Sequence, residues 1–264
     1  RYSKTLKKAK TIFTIHNLIF QFGHIWWEVL LENKDYGRGK IPHLDDSRLE
    51  FINFAKRAIL SADFINTVSE QYREEIMTKK FGQDLNRILR HRADRLVGIV
   101  NGIDYNLYNP EKDKTIFKRY SFKNPLLKAD NKASLQKIFK LPVNKKVPIF
   151  CMTSRVTFQK GFELIIKILP RLVKLNAQFV IIGDGDKKYI KELKKIAHKY
   201  PTKLAIIPSH AANQKYETQV YAGADFFLLT SNHEPCGINQ LIAMRYGCVP
   251  IVRSIGGLFD TVEN

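Results

Sequence analysis

The chain has 264 residues, 44% of them hydrophobic, with 44 basic against 25 acidic residues and a formal net charge of +19. That length buries a sizeable core and favours one or two domains, two being preferred here; no apolar run reaches the roughly 18 residues of a membrane span, and no charged-then-apolar leader opens the chain. Cys151, Cys236 and Cys248 are too few and too scattered for a disulfide framework or a Cys-rich metal site, so a reducing compartment is expected.

In chain order, residues 11–15 and 64–68 read as strands, residues 47–60 as a helix capped by Asp46 or Ser47, and residues 96–100 as a further short strand. Asn101-Gly102-Ile103-Asp104 is a turn signal, and the polar stretch through Asn109-Pro110-Glu111 resembles a linker. One domain is therefore expected over 1–105 and a second over 106–264. Residues 110–146 carry the weakest pattern, with a helix at 132–139. Beyond them, strands at 147–153, 178–182, 203–207, 225–229 and 248–252 alternate with helices at 161–175, 187–199, 214–222 and 237–246. Five strands joined by crossovers predict an α/β, doubly wound, Rossmann-like domain.

The excess charge would suit a polyanion. Much of it, however, is Lys187, Lys188, Lys191, Lys194, Lys195 and Lys199 along one helix, and no aromatic-interleaved basic stripe or zinc-finger spacing accompanies it. A solvated helix face is the preferred reading, with no nucleic acid and no membrane among the partners.

In open α/β sheets the ligand lies beyond the carboxyl ends of the strands, so the loops at 153–160, 183–186 and 231–237 are expected to converge. Arg155 and Lys160 flank that crevice, either as a cationic clamp on a diphosphate or as ordinary surface bases. Gly237 is expected to open a helix whose free N–H groups and dipole attract phosphate. Glu234, three residues earlier, is either an acceptor for a sugar's hydroxyls or a solvated charge or cap. His233-Glu234 begins like a zinc-protease helix, but Pro235 breaks it and no His stands at 237. Gly183-Asp184-Gly185-Asp186 holds two glycines of a dinucleotide fingerprint, but Lys188 occupies the third place, and a tight strand-to-helix turn is the better reading. His16-Asn17 ends a strand, where a buried, satisfied histidine is the usual explanation.

Taken in order, these fragments resemble the bacterial glycogen synthase and plant starch synthase family along most of the chain. The shared pieces are Thr14-Ile15-His16-Asn17-Leu18, Thr67-Val68-Ser69, Asn101-Gly102-Ile103-Asp104 with Asn109-Pro110, and Thr153-Ser154-Arg155 through Gln159-Lys160-Gly161. They continue with Ala222-Gly223-Ala224-Asp225, Glu234-Pro235-Cys236-Gly237, Arg245-Tyr246-Gly247, Gly256-Gly257-Leu258 and Asp260-Thr261-Val262.

The resemblance implies a GT-B fold of two Rossmann-like domains facing across a cleft, here truncated at both ends. It implies a hexosyltransferase that moves glucose from ADP-glucose or UDP-glucose to the non-reducing end of an α-1,4-glucan with retention, without metal or other cofactor. By motif, Arg155 and Lys160 hold the diphosphate, Glu234 contacts the donor glucose, and His16 approaches the sugar from the opposite domain; these four are the catalytic candidates. Asn101, Gly183, Cys236, Gly237, Asn239, Gly256 and Gly257 are the donor-binding candidates, and the compartment is the bacterial cytoplasm, or a plastid in a plant or alga. The family's Lys-x-Gly-Gly donor loop is not found, so the segment alone is expected to be weak or inactive. Ile255 replaces a common threonine, Ala212 falls where many members place a tyrosine near adenine, and Ile242 stands where related transferases carry a second glutamate. The alternatives are a non-catalytic nucleotide-sugar or glucan-binding fragment, another GT-B transferase, a polyanion-binding protein and an NAD-dependent dehydrogenase.

Overall fold

A computed structural model describes residues 8–21 and 30–263. It divides into two compact units between Asn101 and Gly102, a little before the boundary expected after residue 105.

The first unit is built on three parallel strands, β1 (Ile12–Ile15), β2 (Phe64–Thr67) and β3 (Leu96–Gly98), lying in that order. Helix α1 (Phe54–Ser61) precedes β2, and α2 (Glu70–Ile76) and α3 (Asn86–His91) lie between β2 and β3. Ile15, Ile59, Ile65, Tyr72, Ile76, Leu89 and Leu96 are buried together with Leu18, whose N–H donates to the Tyr72 hydroxyl at 3.0 Å. The helix expected over 47–60 is two pieces. Asp46 caps a short 3-10 turn at Ser47–Phe51, Ile52 is extended, and the Asn53 side chain accepts from Lys56 N–H (2.8 Å) to start α1 afresh. A second capping residue within an apolar rhythm interrupts the helix because its side chain replaces the preceding carbonyl as acceptor.

The second unit begins with α4 (Lys128–Ile138) and continues as β4 (Ile149–Thr153), α5 (Phe162–Leu172), β5 (Gln178–Ile182), α6 (Lys187–Lys199), β6 (Leu204–Ile207), α7 (His210–Gly223), β7 (Phe226–Leu229), α8 (Asn239–Arg245), β8 (Val249–Val252) and α9 (Gly256–Thr261). The five strands form one parallel sheet in the order β6-β5-β4-β7-β8. Because side chains alternate across a strand, β4 and β5 supply both cores. Cys151, Val180 and Ile182 pack with Tyr221 and Phe227 on one face, while Met152, Phe179 and Ile181 pack with Phe162, Ile165 and Leu169 on the other. Ser209 starts α7 four residues before the expected 214 by accepting from Ala212 N–H at 3.2 Å.

Asp225, at the entry to β7, joins three elements. Its Oδ2 accepts the Ile149 N–H at 2.7 Å and lies 2.8 Å from the buried Lys132 ammonium of α4. Asp225→Ala leaves that ammonium and that N–H without their acceptor, a loss of about 2–3 kcal/mol of unfolding free energy. Lys132→Met in the same background should recover part of it, as read from denaturant midpoints.

Candidate functional site

The sheet opens at its switch point. β4 pairs with β5 over five residues, Ile149 to Thr153, but with β7 only at Phe150 and Cys151. Chain connections run to opposite sides of β4 and β7, and a crevice forms there at the carboxyl ends. The loops after β4, β5 and β7 meet at that end. Val156 N–H donates to Asp184 O (2.9 Å) and Asp186 N–H to Val156 O (2.8 Å), which ties the first loop to the second. Asn232 N–H donates to Gln159 O (2.8 Å), and Gln159 Nε2 donates to His233 O (3.3 Å), which ties the first to the third. Gly161, with φ at 75°, makes this approach possible, since a Cβ there would sit 2.0 Å from the Thr230 carbonyl oxygen.

These ties bring Lys160 Nζ to 2.5 Å from Glu234 Oε2, while Ser231 Oγ donates to the same oxygen at 2.8 Å. The Glu234 side chain is 8% exposed and that of Lys160 17% exposed, so Glu234 is not a solvated loop charge. A carboxylate removed from water needs such partners. Burial holds the neighbouring His233 imidazole below its ordinary value; Glu234 opposes that shift and Lys160 adds to it. Arg155 is exposed at the rim, with Nη2 3.4 Å from Gln159 Oε1.

A cavity of about 290 Å³ lies here. Of the residues singled out in the sequence, Arg155, Lys160, Glu234, Gly237 and Asn239 line it. Gly237 does not open a helix: its φ is 71°, and α8 starts two residues later, at Asn239, and runs for seven residues. The positive φ takes Gly237 out of the helical region and delays the first turn. Asn239 Nδ2 donates to the Thr153 carbonyl at 2.9 Å, a group left without a β7 partner by the short register.

Cys236, Gly256, Gly257 and Gly183 are not among the residues that line the cavity. Gly257 N–H donates to Glu234 O (3.2 Å) and Pro235 O (3.1 Å), and Gly183 N–H donates to Ile207 O (3.2 Å). Cys236 is buried. His16 and Asn101 belong to the first unit. His16 is exposed and lines a separate cavity of about 250 Å³ with Phe13, Asn17 and Phe20, which corrects the expectation of a buried histidine. Asn213 and Glu217 on α7, which belong to no motif in the sequence, line the same cavity with Thr153 and Ser154. Burial raises the Glu217 carboxyl above its ordinary value, and a hydrogen bond from Tyr221 opposes that shift. The available signal was the i, i+4, i+8 spacing of Asn213, Glu217 and Tyr221 along one helix face. Among the described residues no group of three His, Cys, Asp or Glu side chains is placed to hold a metal ion, and no helix is long and apolar enough to cross a membrane.

A Cβ at Gly256 would stand 2.0 Å from the Glu234 carbonyl oxygen, on a backbone with φ at 42°, whereas Gly102 has nothing within 4 Å. Gly256→Ala should therefore lower the unfolding free energy by about 2 kcal/mol, with Gly102→Ala changing it little, as read from denaturant midpoints.

Two family models match the chain: glycosyl transferases group 1 over residues 134–264, and the starch synthase catalytic domain over residues 1–91. Glycogen synthase of Clostridium perfringens is 44% identical over 272 residues, an alignment that covers 100% of this chain and 54% of that protein. Glycogen synthase of Lactobacillus acidophilus is 44% identical over 260 residues, covering 97% of this chain and 53% of the relative. The chain thus spans about half the length of the curated relatives it matches. Among solved structures, the catalytic domain of starch synthase IV from Arabidopsis thaliana, bound to ADP and acarbose, superposes with a TM-score of 0.81 at 29% identity, covering 97% of this chain and 52% of that one. Sucrose-phosphate synthase from Thermosynechococcus elongatus shares the fold at 20% identity and a TM-score of 0.56, covering 96% of this chain and 52% of that one. With two α/β units built on parallel sheets and relatives of this kind along its whole length, the chain belongs to the glycogen and starch synthase family of GT-B glycosyltransferases.

Proposed function

We propose that the complete protein transfers glucose from ADP-glucose or UDP-glucose to the non-reducing end of an α-1,4-glucan, with retention at the anomeric carbon. The observation that carries this reading is the Lys160–Glu234–Ser231 cluster in the crevice at the β4–β7 switch point, with Arg155 at its rim. It supplies cations for an anionic leaving group beside a carboxylate for neutral hydroxyls. The ADP held by the Arabidopsis starch synthase supports an adenine nucleotide as donor.

In this mechanism Arg155 and Lys160 neutralise the diphosphate as the glycosidic C–O bond lengthens, Arg155 through its fork and Lys160 as a point charge. Glu234 accepts from hydroxyls of the glucose, whose ring gains oxocarbenium character. The acceptor's hydroxyl attacks on the face the diphosphate leaves, and its proton passes to the departing phosphate oxygen. Backbone groups around Gly237 and Asn239 complete the anion's surroundings, with no metal or cofactor taking part. His16 and Asn101 enter through their motifs alone. The cytoplasm is the proposed compartment, in keeping with the bacterial relatives. The 264-residue chain by itself should be weak or inactive, because it spans half of those relatives.

The complete protein, given labelled ADP-glucose and UDP-glucose in turn with glycogen as acceptor, should incorporate label from at least one donor. Incorporation from neither would remove the assignment and leave a nucleotide-sugar or glucan-binding protein. Arg155→Ala should lower turnover by roughly 10²–10³, the usual effect of removing one preorganised charge stabiliser. Near-normal turnover at saturating donor would take Arg155 out of that role.

A further inference from the structure

Glu217 is the second carboxylate lining the donor cavity, and no motif pointed to it. It stands on α7 one turn after Asn213. Its Oε1 accepts from Asn239 Nδ2 at 3.2 Å and from the Tyr221 hydroxyl at 3.3 Å, whereas its Oε2 accepts from none of the described residues. No described cation pairs with it, in contrast to Glu234, which has Lys160. On the same helix Asn213 Oδ1 is buried without a hydrogen-bond partner. Two acceptor oxygens thus belong to one wall of the cavity, the opposite sign from the Arg155 and Lys160 side.

An unpaired carboxylate repels a phosphate and welcomes neutral O–H donors. Resting on the donor reading above, we propose that Glu217, with Asn213, forms the subsite for the ribose diol of the nucleoside diphosphate. Asn239 links this subsite to the strand end: the same amide that donates to Glu217 also donates to the Thr153 carbonyl. Glu217 therefore serves as a specificity residue that reads hydroxyls, while Arg155 and Lys160 read charge and Glu234 reads the glucose.

The test compares binding of ADP and 2′,3′-dideoxy-ADP to the complete protein by titration calorimetry, in the wild type and in Glu217→Met. Losing hydrogen bonds to a charged acceptor should weaken the dideoxy compound by roughly 10–100-fold in the wild type. Glu217→Met, which keeps the volume and removes both acceptor oxygens, should bring the two affinities within about threefold, a gap too small for a charge-assisted hydrogen bond. A role confined to holding Asn239 or α7 would weaken both compounds equally and preserve the ratio, which overturns the proposal. So does a wild-type ratio near one. Should Glu217→Met fail to fold, as read by its melting curve, Glu217→Gln keeps the shape while removing the charge, and its ratio must fall as well. Absence of ADP binding in the wild type would instead overturn the donor reading itself, and this inference with it.

Discussion

The site rests on the burial of one negative charge. Glu234 is largely removed from water, and a carboxylate in that position is tolerable only with a cation and a hydroxyl beside it. Lys160 and Ser231 meet that need, but they come from two different strand-to-helix loops. The electrostatic requirement thus becomes a geometric one. The loops after β4 and β7 must touch along their backbones, and they do so where Gly161 meets the Thr230 carbonyl, while Gly256 and Gly257 press on the Glu234 loop from behind. Glycines that are distant in sequence serve one charge.

The hydrogen-bond layout also separates two kinds of polar work within a small volume. In one part of the cavity, the Lys160 ammonium and the Ser231 hydroxyl share a single Glu234 carboxylate oxygen. In another, Glu217 and Asn213 present acceptors without a cation, and Asn239 links Glu217 to the end of β4 that lacks a β7 partner. Burial holds the Glu217 acid towards its neutral form, and burial with a smaller contribution from Lys160 does the same for the His233 imidazole.

The second unit was largely legible in the sequence because its strands are short apolar runs, wholly buried at β5, that alternate with helices, and α6 spans Lys187–Lys199 as its periodicity predicts. Its lysines lie on the solvent side, with Leu193 as the buried contact, in line with the reading of a solvated face. Helix starts were less legible, since they depend on single caps: Ser209 brings α7 forward, Gly237 holds α8 back, and Asn53 cuts one expected helix in two. In the first unit the short helices α2 and α3 escaped notice because seven and six residues carry too little periodicity to stand out. Arg155, Lys160 and Glu234 were visible as charged residues in glycine-marked loops. Glu217 was not, because a polar residue inside a helix looks like any solvated one until its neighbours are known.

The short ladder between β4 and β7 has a wider consequence. Two paired positions hold the strands together near their start, after which they diverge. The opening is therefore a property of main-chain pairing, maintained by whatever keeps Phe150 opposite Phe226 and Cys151 opposite Phe227. Side chains on the rim decide what enters but do not make the gap. A sequence can then exchange its rim residues, and with them what the crevice admits, without rebuilding the scaffold, provided that the Thr153 carbonyl keeps a side-chain donor such as Asn239.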